Sequence, residues 1–198
     1  MNKVVIASKN KHKLEEIKEI LKDFSLDIKS MDEVGLADLE VIEDGNTFEE
    51  NAMKKAQEVM KASGHIAIAD DSGLEVEAIG NKPGVYSARF AGENASDQEN
   101  NQKLLRLLEG IPFEKRNAKF VSVIAVAFPD GRKISVRGEI PGKIGYEEKG
   151  ENGFGYDPLF IVEEFQKTFA EMPPFLKNKI SHRARALEKL KKELKNFI

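Results

Sequence analysis

A mixed α/β fold is predicted, elongated around a long central sheet, with two lobes and a cleft between them. Three observations predict it. Apolar strand-like runs alternate with helical periodicity through the first third of the chain. Two long strand candidates joined by a hairpin signal fill the middle, and an amphipathic helix closes the C-terminus. With 198 residues, 40% apolar and 33% charged, the chain suits one domain over 1–198, built as two lobes that share a core.

The elements follow in order. Lys3 to Ala7 is a short apolar strand, and Lys11 to Phe24 places Leu14, Ile17, Ile20, Leu21 and Phe24 at helical spacing. Leu26 to Ser30 reads as a second strand, followed by an irregular acidic loop from Met31 to Asn46. Thr47 and Glu50 have the spacing of a capping box, so a helix opens there and runs to about Ser63. His65 to Ala69 reads as a buried strand ending at Asp70, and Leu74 to Ile79 as a strand leaving the acidic turn. Gly80 to Gly84 is a loop. Ser96 and Glu99 repeat the capping-box spacing before a helix carrying Leu104, Leu105, Leu107 and Leu108. Ala118 to Phe128 and Lys133 to Ile140 are strands joined by Pro129-Asp130-Gly131-Arg132. Ser181 can cap the last helix, on which Ala184, Leu187, Leu190 and Leu194 face inward.

Composition narrows the function classes. A formal charge of -3, from 31 basic and 34 acidic residues, gives no global field toward nucleic acid or anionic lipid. Any anion is therefore held by a local cluster. The absence of cysteine excludes disulfides, thiolate catalysis and cysteine-based zinc sites. No apolar run reaches membrane-spanning length, and the opening residues lack a signal-peptide layout, so a cytoplasmic location is expected.

Four clusters carry chemistry. Asp70-Asp71-Ser72-Gly73 sets two adjacent carboxylates where a strand is predicted to end, and such a pair needs a divalent cation or lysines beside it. The same residue types form turns for backbone reasons alone. Ser8-Lys9-Asn10-Lys11-His12-Lys13 lies between the first strand and the first helix, where backbone N–H groups and the helix dipole meet anions. Lysines oppose that dipole, so three of them point to a bound phosphate that offsets them. Neither a Walker A loop nor a dinucleotide fingerprint is present there. In Gly153-Phe154-Gly155-Tyr156-Asp157-Pro158, glycines flank an aromatic ring that can stack on a nucleobase or sit in the core. In Ser181-His182-Arg183, His182 and Arg183 can offer donors to a purine carbonyl edge and Lys177 upstream can add charge to a phosphate, or the triplet is a capped helix start with surface charges.

Six segments together resemble one family. Ser8 to Lys13, Thr47-Phe48-Glu49-Glu50-Asn51-Ala52, Asp70 to Leu74, Pro83-Gly84-Val85-Tyr86-Ser87-Ala88-Arg89, Phe154 to Pro158 and Ser181 to Arg183 are similar, in order, to signature segments of the inosine/xanthosine triphosphate pyrophosphatases. The resemblance implies a two-lobed α/β fold with a substrate cleft. It implies Mg2+-dependent hydrolysis of ITP, dITP and XTP to the monophosphate and pyrophosphate, removal of deaminated purines from the nucleotide pool, and a homodimer.

By position, the resemblance assigns Ser8, Lys9, Asn10, Lys11, His12, Lys13, Lys55 and Ser72 to substrate contact. Asp71 becomes the catalytic base, and Glu43 with Asp71 the metal ligands. Glu40, Asp44 and Asp70 compete for the metal. Phe154, Gly155, Tyr156 and Asp157 line the base pocket, with Phe154 stacking, Lys177 falls at the expected spacing before His182 as a substrate contact, and His182 and Arg183 read the base. Two other functions share the same residues: a pyrophosphatase for other modified nucleotides, and a sensor that binds a purine nucleotide without cleaving it. Nucleic acid and membrane are not expected as partners.

Overall fold

The computed structural model describes residues 2–195. Its elements are β1 (Asn2–Ile6), α1 (Lys11–Leu21), β2 (Leu26–Ser30), α2 (Phe48–Ser63), β3 (Ile66–Val76), β4 (Lys82–Pro83), α3 (Asp97–Leu107), β5 (Asn117–Ala127), β6 (Lys133–Ile144), β7 (Phe160–Val162), β8 (Lys167–Thr168), α4 (Pro174–Ile180) and α5 (His182–Leu194). The strands form one mixed eight-stranded sheet in the order β2-β1-β3-β5-β6-β7-β8, with β4 paired to β3. β1 is parallel to both neighbours, with Val4 beside Ile28 on one side and Ile66 on the other. β6, β7 and β8 are antiparallel.

Helix starts follow from their caps. Asn10 accepts the Lys13 N–H at 3.2 Å and opens α1, which buries Ile17 and Leu21. At α2 the predicted box is half formed: Thr47 accepts the Glu50 N–H at 3.1 Å, but the Glu50 carboxylate accepts from the Asn46 N–H. At α3 both halves are present, the Ser96 hydroxyl accepting from Glu99 N–H at 3.1 Å and Glu99 accepting from Ser96 N–H at 2.7 Å. Ser96→Ala is expected to cost about 1 kcal/mol, read as a lower midpoint with unchanged slope in urea unfolding.

Several features differ from the sequence reading, among them β4, which lies in the expected loop, and the short strands β7 and β8, which were not foreseen. β3 runs unbroken through Asp70-Asp71-Ser72-Gly73, where a turn was expected, and Glu77–Ile79 is a 3-10 turn. Polar residues can stand inside this strand because tertiary partners meet their charge, which outweighs local propensity. β6 continues to Ile144, beyond the expected end at Ile140. α4 was not foreseen; its signal was the Pro173-Pro174 pair, which places Pro174 at the first helical position.

Two compact units emerge. The first is drawn from Met1–Asp71, Ser122–Gly138 and Arg183–Ile198, and the second from Ser72–Val121 and Glu139–His182. The first unit's core joins Val4, Ile6, Ile17, Leu21, Ile68, Ile124 and Val126 to Leu187, Leu190 and Leu194 of α5. The inward stripe expected on α5 is present, since Ala184 is buried as well. The second unit's core gathers Leu74, Leu104, Leu108, Phe120, Ile140, Phe160, Phe169 and Met172. Of the leucines carried by α3, Leu107 is exposed.

Candidate active site

Successive residues of a strand face opposite ways, and Asp70 and Asp71 have accordingly acquired different surroundings. Asp70 is fully buried. Its Oδ2 lies 2.9 Å from the Lys13 ammonium and 3.3 Å from the Arg183 guanidinium. Its Oδ1 accepts the Ser122 hydroxyl at 2.6 Å. Arg183 also bridges to Glu16. Burial works hardest against this charge, yet Arg183 and then Lys13, with the Ser122 hydrogen bond, hold the Asp70 carboxyl well below the usual range. Burial likewise opposes the Arg183 charge, which Asp70 and Glu16 restore and strengthen.

Asp71 is the reverse case. Burial pushes its carboxyl up to about 6, with Glu43 and Asp70 acting in the same direction and Lys55 and Lys13 only partly opposing them. Its Oδ2 is buried and has no hydrogen-bond partner among the described residues. Lys55 stands beside this acid: its ammonium is 2.7 Å from Glu43, 4.0 Å from Asp71 Oδ1, and donates to the Asp70 carbonyl at 2.7 Å. Two adjacent carboxyls are thus tuned apart, one firmly ionised and one poised to hold a proton or a cation.

The competing acids lie in different surroundings. Both oxygens of Asp70 are engaged by Ser122, Lys13 and Arg183. Asp44 is exposed and paired with Lys54 at 2.7 Å, and Glu40 is exposed. Glu43 is the acid of that loop brought to Lys55. Among the described residues no three His, Asp or Glu side chains form a metal cage. A hard cation that takes one or two carboxylates and completes its shell with water and phosphate oxygens fits Glu43 and the unpartnered Oδ2 of Asp71.

The N-terminal segment has a structural and an exposed part. Lys13 is half-buried on Asp70, whereas Lys9, Lys11 and His12 are exposed at the start of α1. Ser8 accepts the Asn10 N–H at 3.1 Å. The first turn of α1 has no acidic residue to complement the helix dipole, and its side-chain charges are lysines.

The second unit holds the other cluster. Lys177 and Asp157 form a buried ion pair at 2.7 Å, and the same carboxylate oxygen accepts the Phe154 N–H at 3.0 Å. The Lys177 ammonium lies 4.7 Å from the Phe154 ring centroid. Gly153, at φ +73, leaves room for this carboxylate: a Cβ there would stand 2.1 Å from Asp157 Oδ2. The Tyr156 hydroxyl donates to the Ser87 carbonyl at 2.7 Å. Ser87 in turn accepts the Leu74 N–H and donates to the Gly84 carbonyl. His182 is buried and stacks on Phe120 at 4.7 Å, with an interplanar angle of 13°.

Sequence reasoning missed Ser122, Glu16 and Ser87. Ser122 had a signal, being a lone hydroxyl inside the apolar run from Phe120 to Phe128. Glu16 had none, since a glutamate on an amphipathic helix reads as solvated surface. Ser87 lay within a recognised segment but carried no assigned role.

The comparisons with known proteins agree with one another. A model described as the Ham1 family matches residues 4–193. A dITP/XTP pyrophosphatase of Clostridium perfringens (strain 13 / Type A) is 52% identical over 204 residues, spanning 100% of both chains. That of Bacillus subtilis (strain 168) is 50% identical, covering 98% of each chain. The solved Ham1 protein of Staphylococcus aureus superposes with a TM-score of 0.88 at 42% identity, covering 99% of this chain and 100% of that one. A HAM1 protein from Coxiella burnetii gives 0.89 at 42% identity over the same shares.

Proposed function

The chain belongs to the Ham1 family, and from that premise we propose that it hydrolyses the non-standard purine triphosphates dITP, ITP and XTP to the monophosphate and pyrophosphate. The observation that carries this reading is the split pair on β3, an Asp70 held well below the usual carboxylate range beside an Asp71 whose carboxyl is raised to about 6 and whose Oδ2 has no hydrogen-bond partner among the described residues. Phosphoryl chemistry at neutral pH needs cations on the phosphate oxygens and a group that accepts a proton from water.

In this reading Asp71 takes the proton of the water that attacks the α-phosphorus, as the bond to the departing pyrophosphate oxygen breaks. Lys55 balances Glu43 and Asp71 and, with the exposed Lys9 and Lys11 at the α1 N-terminus, offers charge to phosphate oxygens. Ser8, Asn10, His12 and Ser72 contribute polar contacts. Asp70 does not react; it fixes Lys13 and Arg183. Glu43 and Asp71 would hold Mg2+, which supplies positive charge to the transferring phosphate when bound. Glu43→Gln is expected to raise the Mg2+ concentration for half-maximal turnover roughly tenfold or more, and calorimetry without substrate checks the same loss.

At the base, Phe154 stacks, Gly155, Tyr156 and Asp157 line the pocket, and Lys177 and His182 place donors toward a 6-carbonyl. A 6-amino group is then poorly matched, which disfavours adenine. Arg183, expected from sequence to read the base, is engaged by Asp70 and Glu16, so its part is to hold the acid strand. No helix among the described residues is long and apolar enough to cross a membrane; cytoplasmic action as a homodimer belongs to the same proposal.

Turnover of ITP, XTP, dITP, GTP, ATP and dTTP, with pyrophosphate and orthophosphate assayed separately, tests it. Fast pyrophosphate release from the first three alone supports the reading. Orthophosphate as the product, equal cleavage of every nucleotide, or binding without product overturns it.

A further inference from the structure

The loop proposed to receive the base is held from within and from outside. Within it, the Asp157 N–H donates to the Phe154 carbonyl at 3.2 Å and the Asp157 carboxylate accepts the Phe154 N–H, closing a turn in which Gly155 takes φ +60, a conformation that suits glycine. Helix α3 supplies the outer hold. Asp97, in its first turn, accepts the Gly155 N–H at 2.8 Å, and Asn101, one helical turn later, donates its amide to the Gly155 carbonyl at 3.1 Å. The two side chains share one face of α3 and grip one peptide unit from its two polar ends.

Asn101 has a further oddity. It is buried, its Nδ2 also donates to Glu148 at 2.7 Å, and its Oδ1 has no hydrogen-bond partner among the described residues. A buried acceptor left unpaired is costly, and an apolar residue would fill the position without that cost. What the amide provides in return is its donor, aimed at Gly155. The same helix holds the segment that anchors Tyr156: Asn100 accepts the Ala91 N–H and donates to the Ala88 carbonyl, and Lys103 donates to the Phe90 carbonyl.

We infer that Asp97 and Asn101 are positioning residues for base specificity, clamping the Gly155 peptide so that the Phe154-to-Asp157 loop is preorganised for a non-standard purine. The inference rests on the reading that this loop receives the base. Neither residue touches the reacting phosphate, and the acid strand's partners named above do not include them. Their loss therefore weakens substrate binding and discrimination while leaving the chemical step alone.

The test is steady-state kinetics with dITP and dGTP on the full chain, comparing native protein with Asp97→Ala, Asp97→Asn and Asn101→Leu, each checked by thermal melting. Asp97 is exposed, so its variants keep the fold even if Asn101→Leu does not. Asp97→Ala is expected to raise KM for dITP about tenfold, the scale of losing one charge-assisted hydrogen bond. Its kcat should stay within about twofold, and the dITP preference over dGTP should fall. Asp97→Asn keeps an oxygen that can accept the Gly155 N–H and should restore most of the KM. Asn101→Leu is expected to melt no lower than native protein and to share the KM defect.

Unchanged KM in Asp97→Ala, a fall in kcat alone, or failure of Asp97→Asn to recover overturns the clamp while the pyrophosphatase reading stands. A native chain that does not prefer dITP overturns the reading and the clamp with it.

Discussion

Asp71→Asn is expected to abolish pyrophosphate release and, in metal-free protein, to raise stability. The loss of turnover should be on the order of 10²–10⁴-fold, the range for removing a general base. The gain in stability follows from the environment of the carboxyl. Burial raises it from 3.8 to about 6, so the folded chain prefers the protonated form. Below about pH 4 both folded and unfolded states carry the proton, and the residue costs nothing. As pH rises, the unfolded state releases its proton first, and the cost grows until the folded carboxyl ionises near 6. At about 1.4 kcal/mol per pH unit the full penalty is roughly 3 kcal/mol, which asparagine does not incur. Calorimetry in a chelator from pH 4 to 8 checks this. The variant should match native protein near pH 4 and melt several degrees higher above pH 6. Equal melting at pH 7.5 would show that Asp71 is not strained.

Asp70→Asn should behave in the opposite way although the two residues are neighbours. It removes the charge that offsets Lys13 and Arg183, with Arg183 about as buried as any side chain in the structure. Breaking a buried pair by removing one partner costs about 3–5 kcal/mol, because the other charge remains. The native carboxyl is held well below 3.8, so its contribution is complete above that value and is lost as pH falls toward the folded value. Urea unfolding at pH 7 and pH 3 checks both statements. The destabilisation should be large at pH 7 and smaller at pH 3. Combining Asp70→Asn with Arg183→Met should cost less than the sum of the single changes, since the two side chains are in contact. Additive costs would mean that the pair is not coupled.

Local signals carried a good part of this protein. Hydrophobic period placed α1 and α5, and the Thr47 and Ser96 hydroxyls marked the starts of α2 and α3 to the residue, because a cap is a contact within four residues. The acid pair was visible as chemistry, but its secondary structure was not. Asp70-Asp71-Ser72-Gly73 has turn composition, and its place inside β3 depends on Lys13, Ser122 and Arg183, the last lying 113 positions away in the chain. Glu43 could not be separated from Glu40 and Asp44 by sequence, because its pairing with Lys55 of α2 is a contact that only folding makes.

The sequence by itself determined the alternation of strands and helices, the caps, the lack of thiol chemistry, and the family through six ordered segments. Only the tertiary structure decided which of the two carboxyls is held low and which is raised, that Arg183 pairs with Asp70, and that α3 grips the Gly155 peptide. The physical reason is range. Caps and periodicity arise from neighbours along the chain, whereas a carboxyl's charge state depends on desolvation and on cations that folding brings from elsewhere in the chain.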